Sequence, residues 1–529
     1  MKRFLAMGLL LFGGLAEADV PNAALVCPPD EPVQDAYSHF RALSLDLRGV
    51  VPTMSEMESL QASGEVTEDM VDLLLESDGF AERVVRRHRD LLWNNVTNIN
   101  LLNATASFRR ENLGGGNYLY WVRNRGTMYR GGFVPCLDTP VTYTADGTIE
   151  VTQGVDPNTG AVVYQEGYRW VNPYWAPETP IKVCAFDAQE ADVSPSGTSC
   201  GERDGLTDPG CGCGANVRYC RYGNLSQRPI LEAMAGDVER RIAAVIQQNL
   251  PYTDLFTSKR AYVNGPLVHF LRYQTPFYAN VRFVPQPLDV STLPALTYAD
   301  QDTWVEIELP DMHAGVLTSW AFLLRFQTNR ARANRFYNNF LCQPFQPPQG
   351  GIPFASEEET SEPDLQVRAG CKYCHALLEP AASYWGRWTE SGAGFLDATD
   401  YPEFDEVCFT CAMTGQGCSA ACNTYYLVNQ LAPEQGPYMG WLNAYEFRRP
   451  EHMTHPDVGP RVLALTAVVD HRLPTCVAYQ TASWLLGREL WAEEVDWVEE
   501  LAVDFVSNDY NYRDLIQAIV QSPTYRRVR

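Results

Sequence analysis

The sequence predicts a mainly α-helical protein in which several helical segments surround a short cysteine and histidine motif at 371–375. Apolar residues recur every three or four positions over long stretches before and after this motif, and that spacing is typical of amphipathic helices. Between about 104 and 226 the helical period is lost, and Gly, Pro, Tyr, Trp and Cys become frequent. We therefore predict a helical body that carries a Cys-rich insertion of strands and loops.

At 529 residues the chain is too long for one compact core, so two to four domains are expected. The changes in pattern predict a signal peptide at 1–18, an N-terminal helical domain at 19–103, a Cys-rich β and loop insertion at 104–226, a central helical domain at 227–349, an acidic linker at 350–366, a segment at 367–474 with the 371–375 motif and a second cysteine cluster, and a C-terminal helical domain at 475–529.

The first 18 residues have the pattern of a secretory signal peptide. Lys2 and Arg3 precede a short apolar run at 4–15, and Ala16-Glu17-Ala18 forms a cleavage site of the A-x-A type. No later segment has eighteen uninterrupted apolar residues, so we expect no transmembrane segment in the mature chain. These features predict an exported protein of the periplasm or cell envelope of a bacterium.

The helices of the N-terminal domain are predicted from their periodicity and their ends. Segment 38–48 has its apolar residues on one face, Thr53-Met54-Ser55-Glu56 has the form of a capping box, and Thr67 is placed to cap a third helix. A fourth helix is expected at 80–93. His88 lies in its basic part and is expected at the surface, or beside a ligand residue, rather than on a metal.

The later elements follow from the same signals. In the insertion, residues 148–151 and 161–164 flank the turn residues 156–160, which predicts a β-hairpin. Further helices are predicted at 230–248, from 266 onward, at 316–326, at 330–341, and in the tail at 476–486, 493–506 and 512–520.

The chain has 15 cysteines, and most of them lie in two groups. Six in the insertion allow 15 pairings, among which the sequence does not choose. For Cys408, Cys411, Cys418 and Cys422 the alternatives are a zinc site and two disulfides. Because extracytoplasmic cysteines tend to oxidise, we predict disulfides within 200–220 and within 408–422.

The motif Cys371-Lys372-Tyr373-Cys374-His375 reads C-x-x-C-H, the attachment site of a c-type haem. Two thiols at this spacing can each add across a vinyl group of one porphyrin, and the adjoining His375 can then be the proximal iron ligand. The alternative is a disulfide or redox C-x-x-C beside a histidine that is there by chance. Export favours one covalent haem c, because this haem is attached outside the bacterial cytoplasm.

The second iron ligand is predicted from the residues that follow the motif. Met453 and His455 are the candidates, because they lie with His452 in a Pro-bounded stretch, and Met453 is preferred. Met413, Met439 and His471 are further donors in this part of the chain. A methionine ligand would raise the reduction potential and suit electron transfer, whereas an open iron position would suit peroxide chemistry.

Several short stretches carry a family resemblance. They are Leu43 to Gly49 with Pro52-Thr53, Tyr262 to Gly265, Ala314 to Thr318, Arg335 to Cys342, Cys371 to His375, Leu485 to Arg488, Arg513 to Leu515 and Ile519 to Arg526. In this order they resemble the planctomycete-type cytochrome c proteins, a multi-domain extracytoplasmic family with helical domains of unknown function. The resemblance implies a haem and an extracytoplasmic location. The chain departs from the family at Glu379-Pro380-Ala381-Ala382, where a D-P-L-G-F-type run is usual.

The leading functional hypothesis is an exported mono-haem cytochrome-like protein that transfers electrons. The alternatives are a haem enzyme, such as a peroxidase or the cytochrome component of a dehydrogenase, and an envelope structural or binding protein with a haem. A net charge of −24 disfavours nucleic acid as a partner, and a redox partner protein is expected instead. The sequence contains no H-E-x-x-H, P-loop or G-x-G-x-x-G motif that would name a substrate.

Overall fold

The computed structural model describes residues 33–123, 134–277, 284, 286–346, 350–352, 354, 356, 360–431, 433–446 and 456–527. Helices dominate these residues, which confirms the mainly α class. The predicted signal peptide at 1–18 lies outside the described residues, as does part of the predicted linker at 350–366. Within the described ranges, no helix combines the length and the apolar composition that a membrane crossing requires.

Four helices come first, six strands follow, helices and two further strands are mixed up to residue 308, and the described residues after that carry helices without named strands. The first nine are α1 (Ala36–Arg48), α2 (Met54–Ser63), α3 (Glu68–Leu75), α4 (Asp78–Leu92), α5 (Gly223–Gln247), α6 (Asp254–Thr257), α7 (Gly265–Tyr273), α8 (Trp320–Arg325) and α9 (Asn329–Phe340). The later ones are α10 (Lys372–Ala382), α11 (Glu406–Thr414), α12 (Ala420–Tyr425), α13 (Gly459–Val469), α14 (Arg472–Leu486), α15 (Val495–Ser507), α16 (Tyr512–Gln521) and α17 (Pro523–Arg526).

The N-terminal helices begin at side-chain caps, as their sequences predict. The Thr53 hydroxyl accepts from the backbone N–H of Glu56, whose carboxylate accepts from the N–H of Thr53, so the capping box of α2 is confirmed. At the start of α3 the Thr67 hydroxyl accepts from the backbone N–H of Met70. His88 on α4 corrects the surface prediction. Its side chain is buried, and its Nε2 lies 2.7 Å from the hydroxyl of Tyr252.

The strands lie mostly in the segment 104–226. They are β1 (Phe108–Gly114), β2 (Asn117–Val122), β3 (Thr152–Val155), β4 (Val162–Gln165), β5 (Tyr168–Val171), β6 (Ile181–Cys184), β7 (Arg260–Val263) and β8 (Val305–Glu308). One sheet has the order β1-β2-β6-β5, while β3 pairs with β4 and β7 with β8.

The predicted hairpin exists, but its first strand was placed too early. The prediction put this strand at 148–151, whereas β3 runs to Val155, which pairs with Val162. The strand ends later than predicted because the turn is short: the N–H of Asp156 donates to the carbonyl of Ala161 across it. A strand that enters such a turn has to continue to the residue before Asp156.

Helix α8 also differs from its prediction. The pattern predicts one helix over 316–326, but a 3-10 turn at Gly315–Thr318 precedes α8. Ser319 lies between them in an extended conformation, and its hydroxyl accepts from the N–H of Phe322. The apolar residues on both sides are buried, so their spacing does not reveal the break.

Six disulfides cross-link the described residues. The pairs are Cys136–Cys184, Cys200–Cys211, Cys213–Cys220, Cys342–Cys476, Cys408–Cys422 and Cys411–Cys418. The predictions of disulfides within 200–220 and within 408–422 are confirmed. The zinc alternative at the second group does not hold, because all four sulfurs are bonded in pairs.

One apolar core joins the helical segments. It extends from Phe40 on α1 to Tyr525 on α17 and includes residues of α9 and α10 between them. Arg332 on α9 is fully buried and donates to the backbone carbonyls of Leu323, Thr389 and Gly392. These bonds tie α9 to the chain on both sides of it, so α9 is a rigid support for α10, which packs on it.

Candidate haem-binding site

The first turn of α10 brings the two thiols and the imidazole of the C-x-x-C-H motif together. Cys371 is the residue before the helix, and its carbonyl accepts from the N–H groups of both Cys374 and His375. A helix repeats every 3.6 residues, so this turn holds three reactive side chains within about one pitch of each other. The Sγ of Cys374 lies 3.5 Å from the carbonyl oxygen of Phe345.

Cys371 and Cys374 are free thiols, whereas the other described cysteines form disulfides. They are the two that have no disulfide partner among the described residues, and both are partly exposed. Cys27, the remaining cysteine, lies outside those residues. The structure thus does not form the 371–374 disulfide that the sequence left as an alternative, although two thiols three residues apart would be easy to join.

A hydrogen bond from one ring nitrogen fixes the orientation of the His375 imidazole. Its Nδ1 lies 2.6 Å from Oε1 of Glu379, one helical turn further along α10. Because an ionised carboxylate can only accept, Nδ1 is the protonated nitrogen and Nε2 keeps its lone pair. Within the described parts of the chain, no group bonds to Nε2. A histidine bound through Nδ1–H in this way is the usual form of a metal-ligating imidazole.

Glu379 has a second partner on the neighbouring helix. The Nε of Arg330 on α9 lies 2.7 Å from the same Oε1 atom. The carboxylate side chain is only 4% exposed, whereas that of Arg330 is 48% exposed. A buried carboxylate needs hydrogen-bond donors, and His375 and Arg330 each supply one to Glu379.

Apolar side chains surround the motif at the surface. Tyr373 and Leu377 lie one turn apart on α10, and both are exposed. Ile352 and Val367 are exposed as well, and a Cβ placed on Gly370 would lie 3.4 Å from Cγ2 of Ile352. A porphyrin presents a large apolar surface, so these side chains fit a haem better than a small redox disulfide.

The disulfide Cys342–Cys476 encloses the whole site segment. Cys342 follows the end of α9, and Cys476 lies in α14, 134 positions later, so the stretch between them begins and ends at one covalent link. The sequence does not indicate this pair, because the partners are far apart and belong to no compact cysteine group. Its effect is to hold the two ends of the segment that carries α10.

The predicted second iron ligand falls outside what the structure describes. Met453, His455 and their neighbour His452 all lie within the undescribed stretch 447–455. Among the other donors, Met413 on α11 is exposed, and Met439 is buried. The choice of Met453 therefore stays a prediction.

Glu379 and Arg330 are site residues that the sequence motif alone does not identify. Only the departure from the family pattern drew attention to Glu379. A local signal was available, because a glutamate four residues after a histidine on a helix can reach it. No local sequence signal identifies Arg330, since this residue lies on another helix.

A polar cavity of about 410 Å³ lies on the Glu379 side of the site. Its lining includes Arg330, Glu379, Ser383, Trp388 and Asn443. The side chain of Glu446 adds negative charge nearby, and burial, followed by the neighbouring Asp364 and Glu379 carboxylates, raises its pKa. The carboxylate that binds His375 therefore lies in a region of several acidic groups.

No family model, curated protein or solved structure matches this chain. The resemblance to the planctomycete-type cytochrome c family thus stays a prediction that rests on the residues quoted for it.

Proposed function

We propose that this chain is an exported cytochrome with one covalent haem c, which transfers electrons in the periplasm or cell envelope. The observation that carries the proposal is the contrast among the cysteines. Twelve are paired, while Cys371 and Cys374, which precede a histidine in a C-x-x-C-H motif, keep free thiols. Disulfides on this scale are typical of oxidising compartments, where haem c is also attached.

Four residues of the chain would each have a separate role in binding the haem. Cys371 and Cys374 would hold the porphyrin through thioether bonds, and Nε2 of His375 would bind its iron. Glu379 keeps the His375 ring in the required orientation. The bound haem supplies a centre that takes up and releases one electron.

The charge of the protein suggests the kind of partner. At −24 the chain attracts basic surfaces and repels acidic ones. We propose a basic redox protein that docks near the exposed apolar residues Tyr373 and Leu377. Its association rate should then fall as the salt concentration rises, because salt screens the attraction.

The first test is the mass of the mature protein. We expect the full chain, produced in a host that can attach haem c, to be heavier than its polypeptide by the mass of one haem and to stain for haem after denaturing electrophoresis. The double variant Cys371→Ser with Cys374→Ser should lose both signals completely, because no thiol remains to bind the vinyl groups.

The matched control is Cys213→Ser with Cys220→Ser, which removes two cysteines elsewhere in the chain and should keep the haem. A mature parent chain without the haem mass, or one with a Cys371–Cys374 disulfide, contradicts the proposal.

The second test concerns the predicted distal ligand. If Met453 binds the iron, the ferric protein should show a methionine–iron charge-transfer band, and Met453→Ala should abolish it. Met413→Ala is the control and should keep the band, because that side chain is exposed on α11. A high-spin ferric spectrum in the parent, together with peroxide turnover, would favour a haem enzyme over an electron carrier.

A further inference from the structure

We infer that Glu379 is a positioning residue that sets the reduction potential of the haem through His375, and that Arg330 limits this effect. The inference rests on the proposed function, because it concerns the histidine assigned there to the iron. It adds a pair of residues, one on α10 and one on α9, whose opposite charges should shift the potential in opposite directions.

The contact between His375 and Glu379 is short and sheltered. Nδ1 and Oε1 are 2.6 Å apart, and both residues are held by the backbone of one helix. The Glu379 side chain is 4% exposed, so water competes little for its oxygens. A charge-assisted hydrogen bond in such a place is stronger than one at the surface.

Arg330 acts on the same oxygen atom. Its Nε lies 2.7 Å from Oε1 of Glu379, so the arginine and the histidine share one acceptor. The more the guanidinium neutralises the carboxylate, the less negative charge is left for the Nδ1 proton. Because the arginine side chain is 48% exposed, water screens it, and the neutralisation is incomplete.

The electronic consequence follows from the chemistry of imidazole. A carboxylate that accepts the Nδ1 proton makes the ring a more basic ligand. A more basic ligand stabilises Fe(III) over Fe(II), which lowers the potential, and hydrogen bonds to an axial ligand are one of the means by which proteins tune a haem. Glu379 should therefore hold the potential below the value that His375 alone would give.

The central measurement is the midpoint potential of the haem-loaded protein and its variants. Glu379→Gln keeps the size of the side chain but removes its charge, and we expect the ratio of reduced to oxidised haem at a fixed solution potential to rise about tenfold. For a one-electron couple this corresponds to about 59 mV. Arg330→Gln should move the potential the other way, by a smaller amount, because the arginine is half-exposed.

A control separates the hydrogen bond from simple charge. Glu446→Gln removes a second carboxylate near Glu379. Burial, and then the charges of Asp364 and Glu379, raise the pKa of Glu446, but this side chain is not bonded to His375. If the contact with the imidazole matters, this variant should shift the potential much less than Glu379→Gln. Equal shifts in the two variants would overturn the inference.

A second readout does not need the haem. In the haem-free Cys371→Ser with Cys374→Ser variant, the ¹⁵N resonances of the His375 ring should show the proton on Nδ1. Adding Glu379→Gln should move part of the population to the Nε2–H form, since the charged acceptor is gone. A ring that carries its proton on Nε2 while Glu379 is intact would overturn the positioning role.

The outcomes are distinguishable from those that test the proposed function. A parent chain that carries no haem overturns the proposed function and, with it, this inference about the iron. A haem-loaded Glu379→Gln protein whose potential is unchanged overturns the inference alone. If Glu379→Gln does not bind haem, the midpoint potential of the Arg330→Gln protein is the test. A potential that is unchanged or higher than that of the parent overturns the inference.

Discussion

Lowering the pH from 7 toward 4 should remove several kcal/mol from the free energy of unfolding, because three histidines are buried in their neutral form. Burial lowers the pKa of His88 to about 4 and the pKa values of His269 and His313 to about 3, from an ordinary value of 6.5. At about 1.4 kcal/mol per unit, the shift of His88 alone corresponds to about 3 kcal/mol.

The sign of the effect follows from which state binds protons first. Below about pH 6.5 the histidines of the unfolded chain become charged, while those of the folded chain stay neutral. The stabilisation is therefore complete above pH 6.5 and is lost as the pH falls toward the folded pKa values. Carboxylates with lowered pKa values, such as Glu56, add to the loss only below about pH 4.5.

The surroundings of His88 explain why it stays neutral. Its Nδ1 lies 2.9 Å from the carbonyl of Val84, so this nitrogen donates, and Nε2 accepts from the Tyr252 hydroxyl. Burial raises the pKa of Tyr252 well above its usual value and the pKa of Tyr512 to about 12, so both hydroxyls keep their protons. The nearby Arg87 further disfavours a charged ring.

Urea unfolding at a series of pH values measures this effect. We expect His88→Gln to be less stable than the parent at pH 7 but to lose less stability between pH 6.5 and 4.5. His471→Asn is the matched control, because His471 is exposed and its left-handed backbone, with a φ of 63°, suits asparagine. A parent stability that does not change between pH 7 and 5 would contradict the prediction.

Removing the Cys342–Cys476 disulfide should cost about 5 kcal/mol of unfolding free energy. A disulfide stabilises mainly by restricting the unfolded chain, and the restriction grows with the length of the closed loop. Here the cysteines are 134 residues apart, so Cys342→Ala with Cys476→Ala should lose much of the 5–15 kcal/mol that is typical of a folded domain. Chemical denaturation of the oxidised proteins is the measurement.

The pair Cys213→Ala with Cys220→Ala provides the comparison. Its cysteines are only 7 residues apart, so the same reasoning predicts a loss of about 2 kcal/mol. Cys213 and Cys220 are both buried, whereas Cys342 is exposed and only Cys476 of the long-range pair is buried. Lost packing alone would therefore not make the Cys342–Cys476 variant the less stable one, so a larger loss in that variant reports the loop. Equal losses would show that local packing, and not the length of the enclosed segment, decides the contribution of this disulfide.

Features that depend on neighbouring residues could be predicted from the sequence. The capping box at Thr53 and Glu56 and the C-x-x-C-H motif each lie within one helical turn, so spacing alone defines them. The mainly α class is predictable for the same reason, since periodicity is a local property. The presence of disulfides within 200–220 and within 408–422 could also be predicted, because the cysteines of an exported chain tend to oxidise, but the individual pairs could not.

Contacts between distant segments could not be predicted in this way. Cys342 meets Cys476, His88 meets Tyr252, and Arg330 meets Glu379 only after the helices have packed. His88 lies in a basic run that is typical of a surface, yet packing against Tyr252 and Tyr512 buries it. The free energy that holds these pairs comes from the shared apolar core. Tertiary packing therefore decides which polar groups are shielded from water, and with them the charge that reaches His375.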